Sequence, residues 1–314
     1  MSFQRLICCA VVFIMLAGTT MAATNFLPEV GDWGDPANWS DGVVPTSGDV
    51  ANLNGDDPPK HAIINAGTNA QARRLQIAKN DSNPAGLDAQ VTIKSGGSLE
   101  LDVLRLARGG NGEEGVFNME GGTIIGNQLD LGLDGKGSFY QSSGTASFLD
   151  NVVLARHATG DAFHEMTDGT LECDLLKIGD SGTGYMHVMG GTVDANVISI
   201  ANDANAVGHL QLDAGIINAA NLRFGDGTAS MDITEGKMFI DFVDDANGVE
   251  WESFQTRLEG LGITGYGLTA NVKYDYADRS RDVTLTAIPE PATVLLLGLG
   301  GVWLVRRKKY SHMQ

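Results

Sequence analysis

Histidines, arginines and paired carboxylates are the tools of glycan chemistry, and in this sequence they are dispersed. His157, His164, His187 and His209 fall at different points relative to the glycine-rich turns around them, and none stands in a Gly-His-Gly. Arg105, Arg108 and Arg156 recur near the ends of apolar runs, with Arg223 a fourth. An Arg or Lys beside bound calcium would be the base for elimination from an acidic glycan. Arg105 and Arg223 sit mid-run in Leu-Arg-Leu and Leu-Arg-Phe, where an extended chain turns them outward to water. Asp244 and Asp245 are a carboxylate pair, but adjacent residues of an extended chain point opposite ways. Asp134, Asp180 and Asp226 occupy equivalent glycine-rich loops at intervals of 46 and 46 residues. Stacked, they are calcium candidates with backbone carbonyls. The loops lack the Gly-Gly-x-Gly-x-Asp nonapeptide, and aspartate is also favoured in turns for its backbone tolerance. No phosphate loop, Gly-x-Ser-x-Gly elbow or zinc-type His/Cys spacing occurs. No catalytic residue and no cofactor other than calcium is expected; the rival is a lyase or hydrolase acting on polysaccharide.

The elements that would position these residues repeat. The turns Gly97-Ser-Leu-Glu, Gly122-Thr-Ile-Ile, Gly144-Thr-Ala-Ser, Gly169-Thr-Leu-Glu, Gly191-Thr-Val-Asp, Gly215-Ile-Ile-Asn and Gly236-Lys-Met-Phe follow at intervals of 25, 22, 25, 22, 24 and 21 residues. A second apolar segment follows each of the first six, such as Leu104–Leu106 or Val197–Ile200, then a Gly/Asp/Asn loop. In most units a third alternating run closes the repeat, such as Gly137–Gln141 or Gly184–Val188. Period-2 alternation without helical periodicity predicts three short strands per repeat. Strands this short bury an apolar face only by stacking. The expected fold is all-β: a parallel β-helix or β-solenoid of about seven three-stranded coils, roughly 35 Å long at the β spacing.

A solenoid needs capped ends. Trp33 and Trp39, six residues apart, suit an N-terminal cap; their alternative use is as a platform for sugar rings. Residues 23–95 are expected to hold this cap and an irregular first coil, residues 96–240 the repeats, and residues 241–287 a C-terminal cap. In that last cap Gly248–Leu261 suits a short amphipathic helix, and the alternating runs Gly267–Tyr274 and Arg281–Ala287 suit a hairpin.

Residues 1–22 look like a secretory signal: Arg5, an apolar core from Leu6 to Gly18, then Thr20-Met21-Ala22 for signal peptidase. Past it Cys173 is the one cysteine, so no internal disulfide is expected, and a small buried side chain is its simplest role. Without both ends, 16 cations face 39 acids, about −23, which repels nucleic acid and anionic membrane surface and names no ligand.

Residues 288–314 form a three-part tail: Pro289-Glu290-Pro291, an apolar run from Ala292 to Val305, and Arg306-Arg307-Lys308-Lys309. The run, roughly 21 Å as helix, is short for a hydrocarbon core of about 30 Å. The cations hold its end in the cytoplasm, with the body outside, as a single transmembrane helix. The tail resembles the PEP-CTERM sorting signal of Gram-negative bacteria, and Gly31–Ser40 resembles, more loosely, the opening segment of autotransporter-like and PEP-CTERM solenoid proteins. The resemblance implies a substrate of exosortase, a membrane-embedded cysteine protease, which removes the tail and passes the body to the cell surface or exopolysaccharide matrix. The inner membrane is then a transient partner, and exopolysaccharide or other surface proteins are the later ones. A tail that stays in place would instead make a permanently anchored surface protein. The function expected is structural or adhesive, without enzymatic activity.

Overall fold

The computed structural model describes residues 23–54, 59–79, 88–109, 114–241, 251–277 and 282–289. They form a parallel β-solenoid of about eight turns. Two sheets run along it. One carries long strands, including Asn69–Ile77, Ser98–Leu106, Thr123–Leu131, Thr145–Leu154, Thr170–Ile178, Thr192–Ile200 and Ile216–Phe224. The other carries short strands, including Lys60–Ile64, Ala89–Ile93, Glu114–Met119, Lys136–Gln141, Asp161–Met166, Thr183–Val188, Val207–Leu212 and Thr228–Ile233. Regular pairing begins before the turn pattern does: Asn69–Ile77 already lies in register with Ser98–Leu106, and Val50–Leu53 with Arg74–Ile77.

Each coil has two strands where the sequence predicts three. The first two apolar segments of a repeat run together as one long strand, and the burial pattern explains the bend within it. In Ser98–Leu106, Leu99 and Leu101 point inward, Asp102 and Val103 both lie outside, and Leu104 and Leu106 point inward again. Alternation slips by one residue, so the strand turns a corner without breaking its ladder. Bridge pairing lapses at the same place, between Glu100 and Val103, and resumes at the same offset. Thr145–Leu154 has one residue more and accommodates it at this corner, between Phe148 and Asn151.

Two turns close each coil. After the short strand stands a left-handed glycine, Gly144 at φ +85° for example, and a Cβ there would lie 2.5 Å from the Gly122 carbonyl oxygen of the coil before. Only glycine permits that approach. At the other turn, Ala78, Ala107, Ala155 and Ala201 hold φ between 53° and 56°. All four are fully buried, so their methyl groups fill the core at a conformational cost of about 1 kcal/mol each.

The core is a set of ladders. One inward row of the short-strand sheet reads Val91, Phe117, Phe139, His164, Met186, Leu210, Met231. At the N-terminal end Trp33 and Trp39 meet edge to face at 4.7 Å, Phe26 packs on Trp39, and Trp39 Nε1 donates to the Trp33 carbonyl at 2.8 Å. At the C-terminal end stand the helix Trp251–Glu259, with Leu258 buried, and the antiparallel pair Val272–Ala277 and Asp282–Ala287. Asp282–Ala287 pairs antiparallel with the last long strand, Lys237–Asp241, and so ends the parallel stack.

No helix among the described residues is long and apolar enough to cross a membrane. The apolar run Ala292–Val305 lies outside the described residues, as do residues 1–22, Asp244 and Asp245.

Candidate functional site

The outward face of the short-strand sheet gathers what the sequence scatters. Two rows run along it at the coil spacing. One reads Asn118, Tyr140, Glu165, His187, Gln211, Asp232; the other reads Ser138, Phe163, Tyr185, His209, Ser230. Alternation directs both rows outward, with Ser138 covered at the start of the second, while Phe139, His164 and Met186 between them face the core.

Four rings link across the rows. Tyr140 meets Phe163 at 5.8 Å and 55°, Phe163 stacks on Tyr185 at 5.4 Å, and Tyr185 stacks on His209 at 4.8 Å. Stacking along the rod turns these ring faces toward each other, so their edges line the surface, and Tyr140 is the most open of the four. Beside Tyr140 lies a hollow of about 130 Å³, bounded by Asn118, Glu120, Ser142, Glu165 and Thr167.

Polar groups accompany the rings. His187 Nε2 bonds Asp213 Oδ2 at 2.6 Å, and Asp213 Oδ1 accepts from Gln211 Nε2 at 2.7 Å and Thr234 Oγ1 at 3.0 Å. Partial burial pushes the Asp213 carboxyl up, but these donors outweigh it and hold it below the usual carboxylate range. Burial, then the charges of Asp213 and Glu165, push the Tyr185 phenol up, keeping it a neutral hydrogen-bond donor. His209 Nδ1 meets Ser230 Oγ at 2.6 Å.

Apart from His187 and His209, the residues singled out from sequence fall elsewhere. Trp33 and Trp39 are buried in the first turn, with neither indole face presented to solvent. Asp134 pairs with His157 Nδ1 at 2.7 Å and Asp180 with Lys177 Nζ at 2.8 Å; Asp226 is exposed. A whole coil separates each from the next, about 10 Å at the β spacing, too far for two to share one cation. Among the described residues no cluster of three His, Cys, Asp or Glu is placed to hold a metal. Cys173 is partly buried at the long-strand corner, and burial, then Asp174, pushes its thiol up to about 12.

Arg105 corrects the sequence expectation. It is not free in water: its Nε donates to Asp130 Oδ2 at 3.1 Å, and Arg156 Nε donates to Asp130 Oδ1 at 2.6 Å. Asp130 is fully buried and went unnoticed in the sequence. A carboxylate one repeat beyond an arginine, at the same place in Leu-Asp-Leu as in Leu-Arg-Leu, was the available signal. Arg223 is exposed, as its run suggests.

The Pro-Glu-Pro tail begins where the body ends. Ile288 N donates to the Asn271 carbonyl at 2.6 Å, and Ile288 and Pro289 are exposed beside the terminal strand pair. Pro291 and the basic residues Arg306, Arg307, Lys308 and Lys309 lie outside the described residues, with Glu290. No curated protein and no solved structure matches the chain. Residues 287–309 match the family model of the PEP-CTERM protein-sorting motif. The chain thus carries a PEP-CTERM sorting motif behind a β-solenoid body, the mark of an exported protein directed to exosortase and processed at the membrane.

Proposed function

We propose that this protein is a non-enzymatic adhesive rod, delivered by the sorting protease to the cell surface or extracellular matrix, where its short-strand face holds polysaccharide. The observation that carries this is the pair of outward rows from Asn118 to Asp232 and from Ser138 to Ser230. They repeat hydrogen-bonding groups and ring edges at the coil spacing of about 4.8 Å, as a linear polymer repeats its own units. The hollow of about 130 Å³ beside Tyr140 and Glu165 gives that face a recess for one sugar unit of such a polymer. The apolar run and basic end supply the membrane-held intermediate from which exosortase releases the body.

Two measurements test this. Intact masses from membrane and extracellular fractions, with and without the host's sorting protease, should show loss of the tail near Pro289–Pro291 only when the protease is present. A full-length membrane form in both strains would make the protein a permanent anchor. Co-sedimentation with host exopolysaccharide should fall in Tyr140→Ala and Glu165→Ala and stay unchanged in Leu149→Ala, an exposed residue on the other sheet.

A second reading draws on the His187–Asp213 pair, whose geometry suits an oriented base. A polysaccharide-active enzyme would release reducing ends or unsaturated products, and His187→Ala would abolish that release.

A further inference from the structure

Although acids outnumber bases by 18 along the chain, five arginines gather on one part of the long-strand sheet. The second halves of Asn69–Ile77, Ser98–Leu106 and Thr123–Leu131 lie side by side there, with Gln76, Arg105 and Asp130 in one register row. Arg74 precedes Gln76 by two residues on the same outward side, and Arg73 stands at the strand's corner. Arg108 and Arg156 each follow the end of a long strand by two residues.

Asp130 shows how this surface treats a carboxylate. Both of its oxygens are engaged, by Arg105, Arg156 and Gln128 Nε2 at 2.6 Å, so it has little left to offer the other arginines. Among the described residues no ion pair joins Arg73, Arg74 or Arg108 to a carboxylate. The Nε atoms of Arg73 and Arg74 are buried without a hydrogen-bond partner, and so is Nε2 of Gln76, a side chain only 2% exposed. Burial, then the charges of Arg105, Arg73 and Arg108, hold the Arg74 guanidinium below its ordinary range. Donors without acceptors and crowded like charges both carry a free-energy cost, which a bound anion relieves.

We propose that Arg73, Arg74 and Arg108, set around the Arg105–Asp130–Arg156 triad, bind the carboxylates of an acidic polysaccharide, with a uronate as the sugar recognised. The guanidinium is a planar fork that matches a planar carboxylate, and five of the cations here are Arg, with Lys79 two residues past Ile77 as Arg108 is past Leu106. The internal Asp130 already occupies an equivalent position between two of them. A polyuronate carries a carboxylate on each sugar, so one chain can meet arginines of more than one coil. Nucleic acid is the poorer fit, because the strongly acidic remainder of the protein repels a dense phosphate backbone. The site lies on the other sheet from the rows of Tyr140 and Tyr185, so the two assignments fail independently.

The test is calorimetric titration of the full-length chain, in neutral detergent at low salt, with oligogalacturonate. Wild type and Arg223→Gln are expected to bind, with affinity falling as salt rises. Arg73→Gln/Arg74→Gln and Arg108→Gln are expected to weaken binding at least about tenfold. Circular dichroism checks the fold of each. If the double variant does not fold, Arg108→Gln decides, since its side chain lies beyond the strand end. Absence of binding by wild type overturns the proposal. So does unchanged affinity in folded variants, or equal affinity for sulfated dextran or polyphosphate, which would deny the preference for carboxylate.

Discussion

His164 offers the sharpest test of how this solenoid is held together. Its ring occupies the inward ladder between Phe139 and Met186, fully buried, and stacks on Phe139 with centroids 4.7 Å apart and planes 5° from parallel. Neither ring nitrogen has a hydrogen-bond partner. Burial lowers its pKa from 6.5 to about 4, so the ring is neutral in the folded protein at neutral pH. The unfolded chain binds the proton first as pH falls. Stability associated with His164 is therefore complete above about pH 6.5 and is lost as pH drops toward about 4. By about pH 4.5 the loss amounts to between about 2 and 3 kcal/mol. His164→Met places in the ladder the residue that the next coil already uses, Met186, and removes the titrating group. The variant should be more stable than wild type at about pH 7.5 by about 1 to 2 kcal/mol, because a buried unpaired donor is gone. Its advantage should widen by a further 2 to 3 kcal/mol, roughly, at about pH 4.5. Urea unfolding of residues 23–287, followed by far-ultraviolet circular dichroism at both pH values, measures the gap. His61, also held low by burial and then by Lys94, is present in both proteins and cancels in the difference. A gap of the same size at both pH values would refute the claim that His164 is buried neutral and alone.

Other perturbations follow from the same geometry. Gly179→Ala sets a Cβ about 2.2 Å from the Val207 carbonyl and should destabilise by more than about 2 kcal/mol, whereas Ala107→Gly, which loses a methyl but relieves a left-handed φ, should lie within about 1 kcal/mol of wild type in the same denaturation assay. Asp130→Ala leaves Arg105 and Arg156 facing each other and should cost about 3 kcal/mol, with the loss reduced in an Arg156→Gln background. Trp39→Ala opens the first turn and should cost about 3 to 5 kcal/mol, with hydrogen exchange rising first in Val50–Leu53 and Asn69–Ile77. Alkylation of Cys173 at about pH 8 should be much slower than that of a free thiol, since its thiolate is scarce there.

Much of this architecture is legible without coordinates, and the limits are as physical as the successes. Gly144, Gly169 and Gly191 mark turns because no other residue tolerates their φ beside the carbonyl of the neighbouring coil. The left-handed alanines leave no such mark, since Ala107 and Ala201 look like any small core residue. Asp102 and Val103 separate what look like two strands, because an outward pair interrupts alternation in the same way as a break would. Coordinates are needed to show that the ladder continues through it.

What the sequence determined by itself is the period, the alternation within each strand, the aromatic residues that close the first turn and the tail that directs the chain to the membrane. These follow from local rules: side chains alternate every residue, turns require particular φ values, and a sorting signal is a contiguous string. What only the tertiary structure decided is which outward side chains become neighbours. His187 meets Asp213 across 26 residues, Arg105 meets Asp130 across 25, and Tyr185 stacks on His209 across 24. Because the repeats vary in length from 21 to 25 residues, no single offset predicts these meetings. Each depends on how a given coil takes up its extra residue, at a corner or in a turn, and a shift of one would send the side chain to the opposite face.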